Sequence, residues 1–163
     1  MSTLYLVATP IGNLEDISPR ALRILREVNA ILCEDTRVTS KLLARFEIRK
    51  TLIAFHQHSN TKRFEEVLDR LERGENLALV TDAGTPGISD PGGRLVQVVV
   101  ERLGEAVTIT PIPGPSAVIT ALSISGLPAD AFVFMGFPPH KNGRKTFFRK
   151  IFNPCKNRAL LFI

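Results

Sequence analysis

The chain has 163 residues, of which 44% are hydrophobic and 23% charged, with 11 glycines, 11 prolines, two cysteines and a formal net charge of +5. That profile suits one ordinary domain, or one domain plus part of another, and excludes collagen-like, coiled-coil and disordered chains. No apolar run approaches the roughly 18 residues of a membrane span, Cys33 and Cys155 are too few for a disulfide scaffold, and Met1–Val7 lacks the basic start of a signal peptide, so the expectation is a cytoplasmic protein with no membrane partner.

Thr3–Ala8 reads as a strand. Ser18 followed by Pro19 reads as an N-cap with proline at the first helical position. Leu22, Leu25 and Val28 then recur at helical spacing, with Arg20, Arg23 and Arg26 opposite. Ala30–Cys33 is a second predicted strand, Thr39–Phe46 a short helix and Thr51–Phe55 a third strand. Phe64, Val67, Leu68 and Leu71 mark a third helix ended by Gly74. Leu77–Thr81 is apolar on both faces, as a buried parallel strand should be. A helix over Pro91–Leu103, stopped by Gly104, precedes a fifth strand at Val107–Thr110.

This alternation predicts an α/β domain with a mostly parallel sheet, whose ligands bind outside the carboxyl ends of the strands. The rigid run Pro111-Ile-Pro-Gly-Pro115 predicts a domain boundary, with residues 1–112 before it and 113–163 after it. Beyond it come a helix over Ser116–Ser125, a strand at Phe132–Met135, a basic helix over Arg144–Phe152 and a strand over Arg158–Ile163. A strand with nothing after it predicts either an incomplete second α/β domain or an edge strand closing the sheet. From Pro138 onward there are seven basic residues and no acidic one, whereas the first 137 residues hold 14 basic and 16 acidic residues. This local charge predicts a polyanionic partner or a solvated face.

The strand-end loops carry the candidate chemistry. Thr9-Pro-Ile-Gly-Asn-Leu14 fits neither the Walker nor the Rossmann phosphate loop and reads as a ligand loop or a plain connector. Asp82-Ala-Gly-Thr-Pro-Gly-Ile-Ser-Asp-Pro-Gly-Gly93 packs four glycines and two prolines into twelve residues. Glycine admits close approach of a ligand to the main chain, and proline fixes the loop's shape. Glu34-Asp-Thr-Arg37 sets two carboxylates beside a guanidinium at the end of a buried strand. That suits a general base, or else a helix N-cap with Arg37 in solvent. His56 and His58 lack further ligands at metal spacing, and His140 adds nothing specific, so no metal is expected. Cys33 reads as a buried small residue. Phe147, Phe148 and Phe152 read as base-stacking or as core.

Six motifs occur in order: Leu4-Tyr-Leu-Val-Ala-Thr-Pro-Ile-Gly-Asn-Leu14, Glu34-Asp-Thr-Arg37, Thr81-Asp-Ala-Gly-Thr-Pro-Gly-Ile-Ser-Asp-Pro-Gly92, Pro111-Ile-Pro-Gly-Pro-Ser-Ala117, Ser125-Gly-Leu-Pro128 and Gly136-Phe-Pro138. Together the chain resembles the small-subunit ribosomal RNA methyltransferase I family of the tetrapyrrole methylase superfamily. The resemblance implies two α/β domains with S-adenosylmethionine between them, methyl transfer to the ribose 2′-hydroxyl of a cytidine in 16S rRNA, no metal, and a homodimer. Carried over by position, it implies cofactor contacts at Pro10, Asp82, Ala83, Gly84, Thr85, Pro86, Ile88, Ser116, Ala117, Met135 and Gly136. Glu34 and Asp35 would be catalytic, and Arg37, Lys141, Arg144 and Lys145 would bind the RNA. The chain departs from the family in reading His58-Ser-Asn-Thr61 where His-Asn-Glu is usual, and in lacking the family's continuation past Ile163, so an incomplete second domain is expected. The alternatives are a porphyrinoid C-methyltransferase and a non-catalytic ribosome-binding fragment.

Overall fold

The computed structural model describes residues 1–56, 59–139, 141–152 and 159–161. The chain divides into two compact units, Met1–Pro115 and Ser116–Ile163.

The first unit is a five-stranded parallel sheet. Its strands are β1 (Ser2–Val7), β2 (Ala30–Cys33), β3 (Thr51–Ala54), β4 (Leu77–Leu79) and β5 (Val107–Ile112), in the order β3-β2-β4-β1-β5. Register follows from pairs such as Leu4 with Leu77, Leu32 with Leu79 and Val7 with Ile112. Four helices connect them: α1 (Pro19–Glu27), α2 (Thr36–Arg45), α3 (Thr61–Glu72) and α4 (Gly92–Leu103).

Alternate residues of each strand feed opposite faces of the sheet. Leu4, Leu32, Ile53, Leu77 and Leu79 pack with Phe64, Val67, Leu68 and Leu71 of α3 and Leu95 and Val99 of α4. Val7, Ile31, Cys33, Ala78 and Val80 pack with Ala21, Ile24 and Leu25 of α1 and Leu43 of α2. The result is three layers, with α1 and α2 on one face and α3 and α4 on the other. β4 therefore lies between β1 and β2, whose helices leave on the face opposite to its own. This is the topological switch at which parallel α/β sheets open a crevice beyond the strands.

Local chemistry sets the helix starts. Ser18 Oγ accepts from the Ala21 N–H at 3.0 Å, with Pro19 first in α1, and Asn60 Oδ1 accepts from Arg63 N at 3.1 Å. α2 begins at Thr36, three residues before the position expected from apolar spacing, because Asp35 caps it. β5 runs on through Pro111 to Ile112, two residues beyond its expected end.

The second unit contains α5 (Ala117–Ile124), β6 (Phe132–Phe134), α6 (Arg144–Phe152) and β7 (Ala159–Leu161). β6 and β7 pair in parallel, with Phe132 opposite Ala159 and Phe134 opposite Leu161, so α6 is the crossover of a βαβ unit. Val118 and Leu122 supply its buried apolar face on α5. Among the described residues no helix is long and apolar enough to cross a membrane.

Candidate functional site

Loops from β1, β2 and β4 converge at the carboxyl ends of the strands and are tied together by hydrogen bonds. After β1, Thr9 is buried, and its N–H donates to Gly84 O at 2.9 Å while Gly84 N–H donates to Thr9 O at 3.1 Å. Thr9 Oγ1 also donates to Thr81 O at 3.1 Å. Gly84 holds φ +87°, a conformation that side-chain-bearing residues rarely adopt, so the two-way bridge to the first loop depends on a glycine there.

Within the loop after β4, Asp90 acts as an internal brace. Its carboxylate accepts from Gly87 N at 2.8 Å and from Gly92 N at 2.7 Å. A Cβ on Gly92 would lie 2.9 Å from both Asp90 Oδ1 and Leu79 Cδ2, so bare backbone is required where α4 begins. Thr85 Oγ1 donates to Pro115 O at 3.1 Å, anchoring the same loop to the segment after β5. Asp82, Ala83, Thr85 and Ile88 stay exposed along its rim.

The two carboxylates after β2 have different surroundings. Glu34 Oε1 accepts from Thr81 Oγ1 at 2.7 Å, which fixes its side chain against the glycine-rich loop. Asp35 Oδ1 accepts from the Arg37 N–H at 2.8 Å, capping α2, while both of its oxygens engage the Arg37 guanidinium, the shortest contact being 2.6 Å from Nη2 to Oδ2. Arg37 thereby pulls the Asp35 carboxyl down from 3.8 to about 2. A carboxylate this acidic is a weak proton acceptor. Asp35 N–H in turn donates to Asp82 Oδ1 at 3.3 Å.

A cavity of about 300 Å³ opens beside these groups. Pro10, Leu14, Val38 and Leu42 form apolar walls, with Thr81, Asp82 and Lys41 as polar lining. Cys33 lies buried at the end of β2, where loss of solvation pushes its thiol upward, which suits packing rather than reactivity.

The first unit thus brings Pro10, Glu34, Asp35, Arg37, Asp82, Ala83, Gly84, Thr85, Pro86 and Ile88 to one end of its sheet. In the second unit, Ser116 precedes α5 and its carbonyl accepts from Thr120 N at 2.9 Å, Ala117 opens that helix, and Met135 and Gly136 follow β6. Lys141 is exposed just before α6, and Arg144 and Lys145 are exposed in its first turn, with the Arg144 guanidinium 5.6 Å from the Phe148 ring centroid. His58 and His140, and the basic residues Lys156 and Arg158, lie outside the described residues. Thr9, Thr81 and Asp90 lie within the motifs of the sequence, but the bonds that tie the site together through them are set by the fold. For Asp90 a signal was present, since aspartate among glycines commonly bonds nearby main-chain N–H groups. For the threonines there was none, because their partners lie on other strands.

Compared with known proteins, residues 3–157 match the family described as Tetrapyrrole (Corrin/Porphyrin) Methylases. A ribosomal RNA small subunit methyltransferase I of Xylella fastidiosa is 55% identical over 139 residues, covering 85% of this chain and 50% of that protein. The protein of the same name from Thermotoga maritima is 44% identical over 162 residues, covering 99% of this chain and 71% of its own length. The chain thus spans about half the length of the first of these relatives. Among solved structures, uroporphyrin-III-C-methyltransferase from Thermus thermophilus superposes with a TM-score of 0.60 at 22% identity, covering 85% of this chain and 60% of that one. At that identity the likeness concerns the fold.

Proposed function

Because the chain belongs to the small-subunit ribosomal RNA methyltransferase I branch of the tetrapyrrole methylases, we propose that it binds S-adenosylmethionine and contributes to methylating the 2′-hydroxyl of a cytidine in 16S rRNA. The observation that carries this reading is the cross-tied cluster of Thr9, Gly84, Thr81 and Glu34 at the sheet's switch point.

The residues present fit a cationic nucleoside ligand. Asp82 and Glu34 put two carboxylates at the strand ends that no cation pairs among the described residues, which favours a sulfonium's positive charge. Asp82–Ile88 offer main-chain groups on a loop whose shape is already fixed, which lowers the entropy lost on binding. Ile88, 56% exposed, is an apolar surface for a ring to cover. Pro10, Asp82, Ala83, Gly84, Thr85, Pro86 and Ile88 would hold the cofactor on this unit, and Ser116, Ala117, Met135 and Gly136 keep the cofactor role implied for the second. When bound, S-adenosylmethionine supplies an electrophilic methyl group.

The chain's own work is to orient the ribose and take its proton. A ribose hydroxyl is a poor nucleophile until that proton leaves. Glu34 is the proton acceptor in this reading: Thr81 occupies Oε1, leaving Oε2 to receive the proton. Asp35 instead holds α2 and Arg37 in place. Arg37, Lys141, Arg144 and Lys145 would meet RNA phosphates, giving salt-dependent affinity. A homodimer in the cytoplasm belongs to the same proposal.

Methyl transfer to small ribosomal subunits tests this assignment. Glu34→Gln should lower kcat about 100-fold or more, the usual contribution of a positioned base, while S-adenosylhomocysteine affinity stays unchanged. Asp35→Asn should cost kcat less. Equal turnover in parent and Glu34→Gln would remove Glu34 from the mechanism.

A further inference from the structure

On the α1–α2 side of the first unit, Arg23 pairs with Glu27 and Arg37 with Asp35. On the α3–α4 side, Arg63 pairs with Glu66, Arg70 with Glu75, and Arg102 of α4 with Glu65 of α3. Along α2 and into β3, Lys41, Arg45, Arg49 and Lys50 have no ion-pair partner among the described residues, and from Thr36 to Phe64 the one acidic residue is Glu47. Surface cations ordinarily gain from interspersed acids, so this stretch carries an uncompensated field.

Position sharpens the contrast. Arg37, Lys41 and Arg45 are spaced by four residues on one helix, so they follow one another down one face at about 6 Å per step. That step is comparable to the separation of successive phosphates along a nucleic acid strand. Opposite them, Thr39 and Leu43 are buried against the sheet, which directs the cationic face outward. Lys41 lines the cavity beside Glu34's neighbour Thr81. At the other end of α2, Arg49 and Lys50 line a groove of about 700 Å³ with Ser40, Glu47 and Leu52. That end is pinned: Arg26 Nη2 donates to Phe46 O at 3.2 Å, just past the helix. The groove borders β3, the edge strand, so nothing within the sheet covers it on that side.

We propose that Lys41, Arg45, Arg49 and Lys50 form a phosphate track that guides the substrate RNA strand along α2, from the edge groove to the strand-end site. The track rests on the RNA-substrate reading above and adds a binding surface to it on the first unit. Its contacts are to the sugar–phosphate backbone, so it fixes the strand's direction and register and leaves base identity to the site.

The experiment measures affinity of the chain for a single-stranded RNA oligonucleotide carrying the acceptor segment, over a series of salt concentrations. Each lost phosphate contact removes about 0.7 from the slope of log K against log salt for single strands. Arg45→Gln with Arg49→Gln should therefore flatten the slope by about 1.4. Lys62→Gln with Arg73→Gln, the same charge change on α3 and its C-cap, should leave it near the parent value. Circular dichroism melting shows whether each variant folds, and Arg45→Gln alone, at an exposed position, should flatten the slope by about 0.7 if the double variant melts early. An unchanged slope in the α2 variants, or equal flattening by the α3 pair, would overturn the track. Failure of the unaltered chain to bind the oligonucleotide would overturn the RNA-substrate reading itself, a result distinct from binding that ignores α2.

Discussion

Glu34 and Asp35 are adjacent in sequence and share a strand end, yet their partners differ. Arg37 grips both oxygens of Asp35 and holds its carboxyl at about 2, against an ordinary 3.8. The lowered value means that this contact stabilises the fold fully above the ordinary value and that the contribution is lost as pH falls toward about 2. An NMR titration of the Asp35 carboxyl should give that low midpoint in the parent, and a midpoint moved back toward 3.8 in Arg37→Gln. An identical midpoint in both would break the link to Arg37. Glu34 is held by the Thr81 hydroxyl at 2.7 Å. Thr81→Val keeps the shape and removes the donor that positions Glu34, so it should lower kcat while leaving KM for S-adenosylmethionine unchanged. A loss of stability with kcat unchanged would make Thr81 structural only. The sequence showed the pair of carboxylates and their place after a buried strand. It could not choose between base and cap, because the choice depends on Thr81, 47 residues away.

At the scale of elements, helices were legible wherever a cap and an apolar stripe agreed. Ser18-Pro19 marked the start of α1, and the Ser18 Oγ bond to Ala21 N is present at 3.0 Å. Ser18→Ala should destabilise the chain by about 1 kcal/mol, measured by denaturant unfolding. No change would mean that packing of Ile24 and Leu25 alone defines the helix. Apolar spacing places the start of α2 three residues late because its first turn, Thr36-Arg-Val, is polar apart from Val38, and only the Asp35 cap shows that the helix has begun. The glycine-rich loop was legible as a candidate site from composition. Its brace and its bridge to Thr9 were not, since both depend on distant register. Gly84→Ala forces a side chain onto φ +87° and should cost about 1–2 kcal/mol, with weaker cofactor affinity as Thr9 and Gly84 separate. Retained stability and affinity would show that the loop tolerates another path.

Across the whole molecule, the alternation of strands and helices disclosed a parallel α/β fold because the central strands β2 and β4 are apolar and buried on both faces and the helices between strands, such as α1 and α3, bury one apolar stripe. Strand order was beyond it. No local pattern tells β4 to insert between β1 and β2; that follows from the connections crossing to opposite faces of the sheet. The insertion is what places Thr81 beside Glu34 and Gly84 beside Thr9, so the part of the site that sequence reading missed is the part that topology builds. Leu95, wholly buried where α4 meets the sheet, supports the same arrangement, and Leu95→Ala should cost about 2–5 kcal/mol, read from the urea midpoint.

These strand-end loops are the proposed S-adenosylmethionine site. Calorimetric titration of the chain with S-adenosylhomocysteine tests it most directly. The expected result is saturable binding near one site per chain, weakened in Gly84→Ala and unchanged in Glu34→Gln. No binding heat across the titration temperatures, from a chain that unfolds cooperatively, would contradict it.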